Sequence, residues 1–189
     1  MDYTVRPYRH TDETAWVRCR LLAFLETSYF DDVKQRKTSI AEPGFELVAV
    51  DPAGELVGLI DVEVEQGEAT VDTIAVHPDH VARGIGRALL NETLHRLRSA
   101  GVATLDAWTR DDPGTLRWYR SNGFTESDHY LHVYADAYMD EDEPKRAVVE
   151  RHPEMLPVKM FLHARLEQEA SVRERFARVH ICRRFARTV

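Results

Sequence analysis

The sequence lacks the features that mark secreted, disulfide-stabilised or membrane-spanning proteins. Its 189 residues contain only two cysteines, Cys19 and Cys182, which lie far apart and do not form a C-x-x-C pair. This cysteine usage predicts a reducing compartment, and hence the cytoplasm, without a disulfide framework. The N-terminal residues are polar and no apolar run approaches the length of a bilayer, so we expect neither a signal peptide nor a membrane segment.

An excess of basic residues is also lacking. The formal net charge is −7 and no basic stripe is present, which argues against nucleic acid as a partner. Hydrophobic residues make up 43% of the chain, which is ample for a globular core. At this length we expect one domain, alone or with an appendage.

Histidine pairs with a spacing suited to a metal are absent as well. His77 and His80 are three residues apart, and so are His129 and His132. In a strand this spacing places the two rings on opposite faces of the sheet, where they cannot share an ion. We therefore predict no metal site.

The most informative stretch runs from Val71 to Leu90. It predicts a strand that Pro78 terminates, followed by a helix that Gly84 and Gly86 open. A glycine-containing loop before a helix leaves several backbone N–H groups unpaired, and together with the helix dipole they favour a phosphate. Glycine also lets a ligand approach the backbone closely, because no Cβ is in the way.

Two common phosphate-binding motifs fit this loop poorly. A dinucleotide fingerprint needs G-x-G-x-x-G close to the end of the strand, whereas 77–83 separates the strand from Gly84 and the third small residue is out of place. A P-loop is excluded, because no Gly-Lys-Ser/Thr follows.

The loop instead resembles the acetyl-CoA signature of the GNAT N-acetyltransferase superfamily, Q/R-x-x-G-x-G/A at the start of a helix. The pattern maps onto 81–86, with Val81 standing where the family usually has Gln or Arg. A second resemblance lies in 116–124, where an aromatic-Tyr pair, Trp118 and Tyr119, is followed by Gly-Phe. Family members often carry Asn just before this second helix, where the present chain is acidic.

The resemblance implies that acetyl-CoA is the cosubstrate. It implies backbone N–H groups as oxyanion donors on the preceding strand and a cradle of backbone amides in the loop. The implied cofactor-binding residues are Ile74, Ala75, Val76, Val81, Ala82, Arg83, Gly84, Ile85, Gly86 and Arg87.

Tyr119 is implied as the acid that protonates the departing thiolate. Its alternative role is that of an ordinary aromatic residue in helix packing. The general base is left open among four side chains on two neighbouring strands, namely Asp61, Glu63, Thr70 and Asp72. Each of the three carboxylates has the simpler interpretation of a charge that faces solvent.

The acceptor region is expected around 27–37, where the pattern is weak and a second short helix is one interpretation. Aromatic rings and carboxylates there suit an organic cation, although Tyr29 and Phe30 have the alternative of packing the preceding helix. The candidate substrate-binding residues are Tyr29, Phe30, Asp31, Asp72 and Trp108.

The order of elements completes the prediction. The fold class is α/β (α+β), with a GNAT-like mixed and mostly antiparallel sheet, helices on both faces and a parallel pair flanking the acetyl-CoA site. We divide the chain into an acetyltransferase core at 1–135, an insertion at 136–157, and a strand-helix-strand unit at 158–189 that completes the sheet. Within the insertion, the charged run 140–145 is expected to be a solvated loop.

These patterns favour an acetyl-CoA-dependent N-acetyltransferase that acts on a primary amine of a small molecule or peptide by direct attack in a ternary complex. Two alternatives remain open, a GNAT enzyme with another acyl donor and a non-catalytic acyl-CoA-binding or sensing module. The expected partner is an amine-bearing acceptor, and we expect binding to neither nucleic acid nor a membrane. A homodimer formed by pairing of the C-terminal strands is left open.

Overall fold

A computed structural model of the protein describes residues 3–150 and 152–189. Residues 1 and 2 of the predicted core and residue 151 of the predicted insertion lie outside this description. The described residues form eight strands and five α-helices. The strands are β1 Thr4–Pro7, β2 Phe45–Val50, β3 Leu56–Glu65, β4 Glu68–Val76, β5 Thr104–Thr109, β6 Thr125–Asp136, β7 Lys159–Ala164 and β8 Arg178–Thr188. The helices are α1 Glu13–Phe24, α2 Ile85–Ser99, α3 Pro113–Ser121, α4 Glu143–Ala147 and α5 Glu169–Arg173.

All eight strands belong to one sheet, in the order β1-β2-β3-β4-β5-β8-β6-β7. The β4–β5 pair is parallel and the other neighbours are antiparallel. The predicted fold class is therefore confirmed. The last strand of the chain lies between β5 and β6, so residues near the C-terminus line the centre of the sheet.

Helices pack on both faces of the sheet because two of them are apolar on one side. On one face, α2 buries Ile85, Leu89 and Leu97 against β2 and β3. On the other face, α1 buries Trp16 and Cys19 against β3 and β4. Both cysteines are buried and free.

Two local predictions are wrong. The segment 27–37 contains turns and irregular structure, without the second short helix. The charged run 140–145 is not a solvated loop throughout, because α4 begins at Glu143 and the Glu143 side chain is buried. Its carboxylate accepts hydrogen bonds from the backbone N–H groups of Asp136, at 3.0 Å, and of Ala177. A buried carboxylate that satisfies two backbone donors ties the segment after β6 to the start of β8.

None of the helices in the described part of the chain combines the length and the apolar character needed to cross a membrane. Within residues 3–150 and 152–189, no group of three or more His, Cys, Asp or Glu side chains is arranged to hold a metal ion.

Candidate active site

An opening in the sheet lies between β4 and β5. The two strands pair over only four residues each, and the last pair is Val71 with Ala107. On its other edge, β4 remains paired with β3 as far as Val76. A register shift at this point leaves Asp72 without a partner on β3, which is the pattern of a β-bulge. The backbone of 72–76 is therefore unpaired on the β5 side, and the predicted oxyanion donors Ile74, Ala75 and Val76 lie in it.

The glycine loop follows directly and presents a series of free amides. Ala82 and Gly84 have positive φ angles of 60° and 80°. The first hydrogen bond of α2 that reaches back to the loop is donated by the Ala88 N–H to the Gly84 carbonyl at 3.0 Å. Among the described residues, the N–H groups of 82–87 have no hydrogen-bond acceptor. Successive amides in such alternating conformations at a helix N-terminus form a concave anion site.

Side chains contribute little to this loop. The Val81 side chain points to solvent, with 58% of the residue exposed. The Arg83 guanidinium donates a hydrogen bond to the Asp79 carbonyl at 3.1 Å, which closes the preceding turn. Gly86 is buried, and a Cβ atom there would lie 3.6 Å from both Trp118 and Val76. The loop therefore abuts α3 as well as the end of β4.

Tyr119 lies on α3 within the aromatic packing beneath the opening. The residue is only 4% exposed, and its ring stacks on Phe185 with a centroid distance of 5.3 Å. Phe124 and Trp118 contact the same ring edge-on. Burial raises the pKa of Tyr119, and the nearby Tyr29 hydroxyl raises it further. Tyr119 is therefore protonated at neutral pH, as a proton donor must be, and it also has the packing role that was the alternative.

The segment after α1 lies on the other side of the opening. The Tyr29 hydroxyl accepts a hydrogen bond from the Arg110 backbone N–H at 2.9 Å, and the Arg110 guanidinium lies over the Tyr29 ring at 4.0 Å. Burial raises the pKa of Tyr29 to about 12. The guanidinium also donates to the Ser28 carbonyl and to the Tyr134 hydroxyl. Arg110 is buried, so one cation holds this segment against β5 and β6.

A second arginine holds the same segment from β8. The Arg178 guanidinium forms two hydrogen bonds with the Asp31 carboxylate, at 2.6 and 2.8 Å, and this pairing lowers the pKa of Asp31. The guanidinium also lies over the Phe30 ring at 4.4 Å. The structure thus shows the predicted acceptor residues Asp31 and Phe30 in contact with Arg178 of β8.

The two aspartates before α3 do not act as helix caps. Asp112 is the N-cap residue, but its carboxylate makes no capping bond and instead accepts hydrogen bonds from the Ser28 N–H and hydroxyl. Asp111 lies 3.0 Å from His180 Nδ1 and accepts from the Ile181 N–H at 3.3 Å, and this bonding lowers its pKa against the effect of burial. More distant donors thus take both carboxylates.

The candidate bases occupy different environments. Asp61 is buried, its carboxylate lies 3.0 Å from the Lys37 ammonium, and burial raises its pKa to about 6. Asp72 accepts from the Thr73 hydroxyl at 2.9 Å and lies 3.6 Å from the Lys34 ammonium. Glu63 is exposed, as predicted. The simpler interpretation of Asp61 was a charge that faces solvent, and the structure shows instead that Asp61 is buried.

Trp108 is the first residue of β5 beyond its pairing with β4, and it is 37% exposed. The indole ring lies edge-on to Tyr130, with a centroid distance of 5.1 Å. Trp108 thus borders the opening on the same side as Tyr29.

Sequence patterns did not indicate the roles of Arg110, Arg178 and Lys37, whose side chains are 6%, 24% and 3% exposed. Each binds a group far away in the chain, as Arg178 does with Asp31, 147 residues earlier. No short motif carries such a contact. The one local signal is that Arg110 directly follows a strand and Arg178 begins one, where long polar side chains need a partner if they are buried.

Comparison with known proteins identifies the region around the opening. Residues 43–126 match the family model described as an acetyltransferase (GNAT) domain. A mycothiol acetyltransferase of Clavibacter michiganensis is 37% identical over 93 residues, which are 47% of this chain and 30% of that protein.

The alanine N-acetyltransferase of ribosomal protein bS18 from Escherichia coli is 37% identical over 75 residues, which are 39% of this chain and 51% of that protein. The chain thus matches about half of the length of this relative and less than half of the mycothiol acetyltransferase. The crystal structure of the E. coli enzyme superposes with a TM-score of 0.61 at 20% identity, covering 99% of this chain and 94% of that one.

The PaiA N-acetyltransferase of Thermoplasma acidophilum in complex with coenzyme A superposes with a TM-score of 0.57 at 15% identity, over 68% of this chain and 92% of that one. At these identities the superpositions establish a shared fold. Residues 43–126, which include the glycine loop and α3, thus match the GNAT acetyltransferase domain, within a fold that this chain shares with these enzymes.

Proposed function

We propose that the protein transfers the acetyl group of acetyl-CoA to a primary amine by direct attack in a ternary complex. The observation that carries this proposal is the opening between β4 and β5, with the free amides of 82–87 at one end and the buried Tyr119 beneath it. These are the three parts that acyl transfer from a thioester to an amine requires, namely an anchor, exposed backbone donors and an acid.

The donor would bind along the backbone. The pyrophosphate of acetyl-CoA fits the amides of 82–87, since its negative charge matches their partial positive charge and the dipole of α2. The pantetheine arm can then pair with the unpaired edge of 72–76, which brings the thioester to the N–H groups of Ile74, Ala75 and Val76. Arg83 and Arg87 add positive charge near the phosphates.

The chemical step follows from this placement. The neutral amine nitrogen forms a bond to the acyl carbon, and the developing oxyanion is stabilised by a backbone N–H of β4. The carbon–sulfur bond then breaks, and the Tyr119 hydroxyl gives its proton to the thiolate. The proton lost by the amine passes through water and restores Tyr119. The products are an amide and free coenzyme A, so atoms and charge balance.

Deprotonation of the acceptor ammonium is assigned to solvent. An alkylamine has a pKa near 10 and must lose a proton before it attacks. Lys37 lies beside Asp61, and Lys34 lies near Asp72, so these carboxylates already have cationic partners. The rate at limiting acceptor should consequently rise with pH until the amine is neutral.

The relatives support the reaction type and leave the acceptor open. One is named an alanine N-acetyltransferase of ribosomal protein bS18, and the other is named a mycothiol acetyltransferase. The free buried cysteines support a reducing compartment such as the cytoplasm. The outer edge strand β7 supports a homodimer, since such an edge can pair with a second copy.

Release of free coenzyme A thiol from acetyl-CoA, measured with and without a panel of primary amines, tests the proposal. We expect release that depends on the amine and an acetylated product in equal amount. Binding of acetyl-CoA without turnover for any amine would favour the sensing module, and faster turnover with a longer acyl-CoA would favour another donor. Absence of acyl-CoA binding would contradict the whole proposal.

A further inference from the structure

In the described part of the chain, half of the sheet carries no helix on the face that α1 covers elsewhere. On this face α1 packs against β3 and β4, through Trp16 and Cys19. The short helices α4 and α5 pack on the opposite face, where residues such as Ala147 and Val172 meet Leu131 and Val179. Within the described ranges, the α1 side of this half of the sheet, formed by β5, β8, β6 and β7, is thus covered only at one end. The cover there is the segment that Arg110 and Arg178 hold.

Rings occupy this uncovered face. Tyr130 lies between Trp108, at a centroid distance of 5.1 Å, and His163, at 4.6 Å. His163 stacks on His132 at 5.1 Å with an interplanar angle of 9°, and His132 meets Phe161 at 4.8 Å. We name these five side chains, Trp108, Tyr130, His132, Phe161 and His163, the aromatic wall. Trp108 and Phe161 are 37% and 52% exposed, so the wall presents ring surface to solvent.

Hydrogen bonds behind the wall fix its rings. The Arg110 Nε–H donates to His132 Nδ1 at 3.2 Å, and His132 Nε2 lies 3.1 Å from the Tyr130 hydroxyl. Burial and the adjacent guanidinium lower the pKa of His132 to about 4, so the imidazole is neutral at pH 7. Because Nδ1 accepts from Arg110, Nε2 carries the hydrogen and donates it to Tyr130. A wall with fixed rings loses little conformational entropy when a ligand stacks on it.

The wall begins at the opening, because Trp108 directly follows Ala107, the last residue of β5 paired with β4. Three carboxylates near this end of the wall are already paired. Asp106 accepts from Arg184 Nε at 2.6 Å, Asp31 from Arg178 at 2.6 Å, and Asp111 lies 3.0 Å from His180. A polycationic acceptor would need unpaired carboxylates to replace the water around its distant ammonium groups, whereas an aromatic acceptor needs ring surface.

We infer that the acceptor is a primary amine that carries an aromatic ring. Its ring stacks on the exposed indole of Trp108, and its amino group points into the opening between β4 and β5. Trp108 is thus a residue that determines acceptor specificity, and Tyr130 and His132 position it. This inference rests on the proposed N-acetyltransferase function and adds the class of acceptor.

The first test compares kcat/KM for three amines, 2-phenylethylamine, propylamine and spermidine, with acetyl-CoA as donor. We expect 2-phenylethylamine to exceed each of the other two by about ten-fold or more, as ring stacking and the burial of apolar area predict. Trp108→Ala should reduce this preference by about ten-fold, whereas Trp108→Phe should retain most of it. Tyr138→Ala is the matched control, since Tyr138 is an 80% exposed aromatic residue outside the wall, and it should leave the preference unchanged.

The second test measures binding alone. 2-Phenylethylamine is titrated into the protein saturated with coenzyme A, and we expect weaker binding to Trp108→Ala and wild-type binding to Tyr138→Ala. Equal or better use of spermidine or propylamine, or a preference that survives Trp108→Ala, would overturn the aromatic acceptor. Such a failure with acetyl-CoA binding intact leaves the proposed function standing, whereas loss of acetyl-CoA binding by the wild-type protein would refute that function itself.

Discussion

The two sides of the opening are formed by different kinds of chemical group. The donor side consists of backbone groups from one short stretch, the free amides of 82–87 and the unpaired edge of 72–76. The acceptor side consists of side chains that meet across long separations, such as Arg110 with Tyr29, 81 residues earlier, and Arg178 with Asp31, 147 residues earlier. The first kind of site tolerates changes of side chain, and the second kind depends on a few buried cations.

This difference predicts where substitutions act. A change in the loop or on α3 should affect the donor or the chemical step, whereas a change in the buried cations should affect the acceptor. An effect that appeared on the wrong side of the opening would weaken this comparison.

Tyr119→Phe should give the largest effect. The substitution keeps the ring that stacks on Phe185 but removes the proton donor. We expect kcat to fall by roughly 10²–10⁴-fold with little change in acetyl-CoA affinity, since general acid catalysis acts in the transition state. Tyr138→Phe, at an exposed tyrosine, is the control. A wild-type kcat for Tyr119→Phe would leave Tyr119 with its packing role alone.

Gly86→Glu should weaken acetyl-CoA binding by about 100-fold or more, because a carboxylate would stand beside the pyrophosphate in a poorly solvated cradle. A Cβ atom alone fits, at 3.6 Å from Trp118 and Val76, so the fold should survive. Calorimetry of the folded variant measures the effect. Ser99→Glu places the same charge at the far end of α2 and should bind normally. Unchanged affinity in Gly86→Glu would move the phosphate site away from this loop.

Arg110→Ala should act on the acceptor side. Loss of the guanidinium removes the hydrogen bonds to the Tyr134 hydroxyl and His132 Nδ1 and leaves the Ser28 carbonyl with Arg178 as its donor, at 2.9 Å, so the covering segment and the wall should both loosen. We expect the KM for the acceptor to rise by about ten-fold while the Kd for acetyl-CoA stays the same, since each lost hydrogen bond to a charged group is worth roughly 1.5–3 kcal/mol. Arg18→Ala, at an exposed arginine of α1, is the control. An equal loss of acetyl-CoA affinity would show that the two sides are not separable.

Asp61→Asn should change the pH dependence of stability. The pKa of Asp61 is raised to about 6 in the folded protein, so its contribution is fully present below the unfolded pKa near 4 and is lost as pH rises through 6. The free energy of unfolding of the wild type, relative to Asp61→Asn, should fall by up to about 3 kcal/mol between pH 4 and pH 7. Urea denaturation at several pH values measures this, with the exposed Asp128→Asn as the control. A difference that does not vary with pH would contradict the raised pKa.

Val81→Arg should have the smallest effect. The side chain points to solvent, so the loop should keep its shape, and a cation near the phosphates should leave acetyl-CoA affinity unchanged or a few-fold higher. The Kd from the same calorimetric titration checks this. A large loss of affinity in a folded protein would mean that the side chain at 81 shapes the loop after all.

The sequence predicts the donor side because its signals are local. Gly84 and Gly86, the apolar face of α2 and the Trp118-Tyr119 pair all lie within about 50 residues, and the resemblance to the GNAT motifs added the backbone donors on the preceding strand. The fold class and the family followed from the same residues. Tyr119 as the acid and the backbone donors remain predictions, since they depend on a bound substrate.

The acceptor side was predicted poorly because its determinants are tertiary. Asp112 has the sequence of a helix cap, yet Ser28 takes its carboxylate. The run 27–37 shows a weak helical pattern, yet Arg110 and Arg178 hold it as a loop. The position of β8 between β5 and β6 brings His180 and Arg178 next to the site, and no periodicity in β8 itself reveals its neighbours.

Amide hydrogen exchange with and without acetyl-CoA tests the central claim most directly, because the claim concerns backbone N–H groups. We predict that acetyl-CoA slows exchange in both 72–76 and 82–87, while the edge strand β1 and the loop 52–54 exchange as before. Saturating acetyl-CoA that leaves the amides of 82–87 and 72–76 unprotected would contradict the account, since the donor would then bind elsewhere.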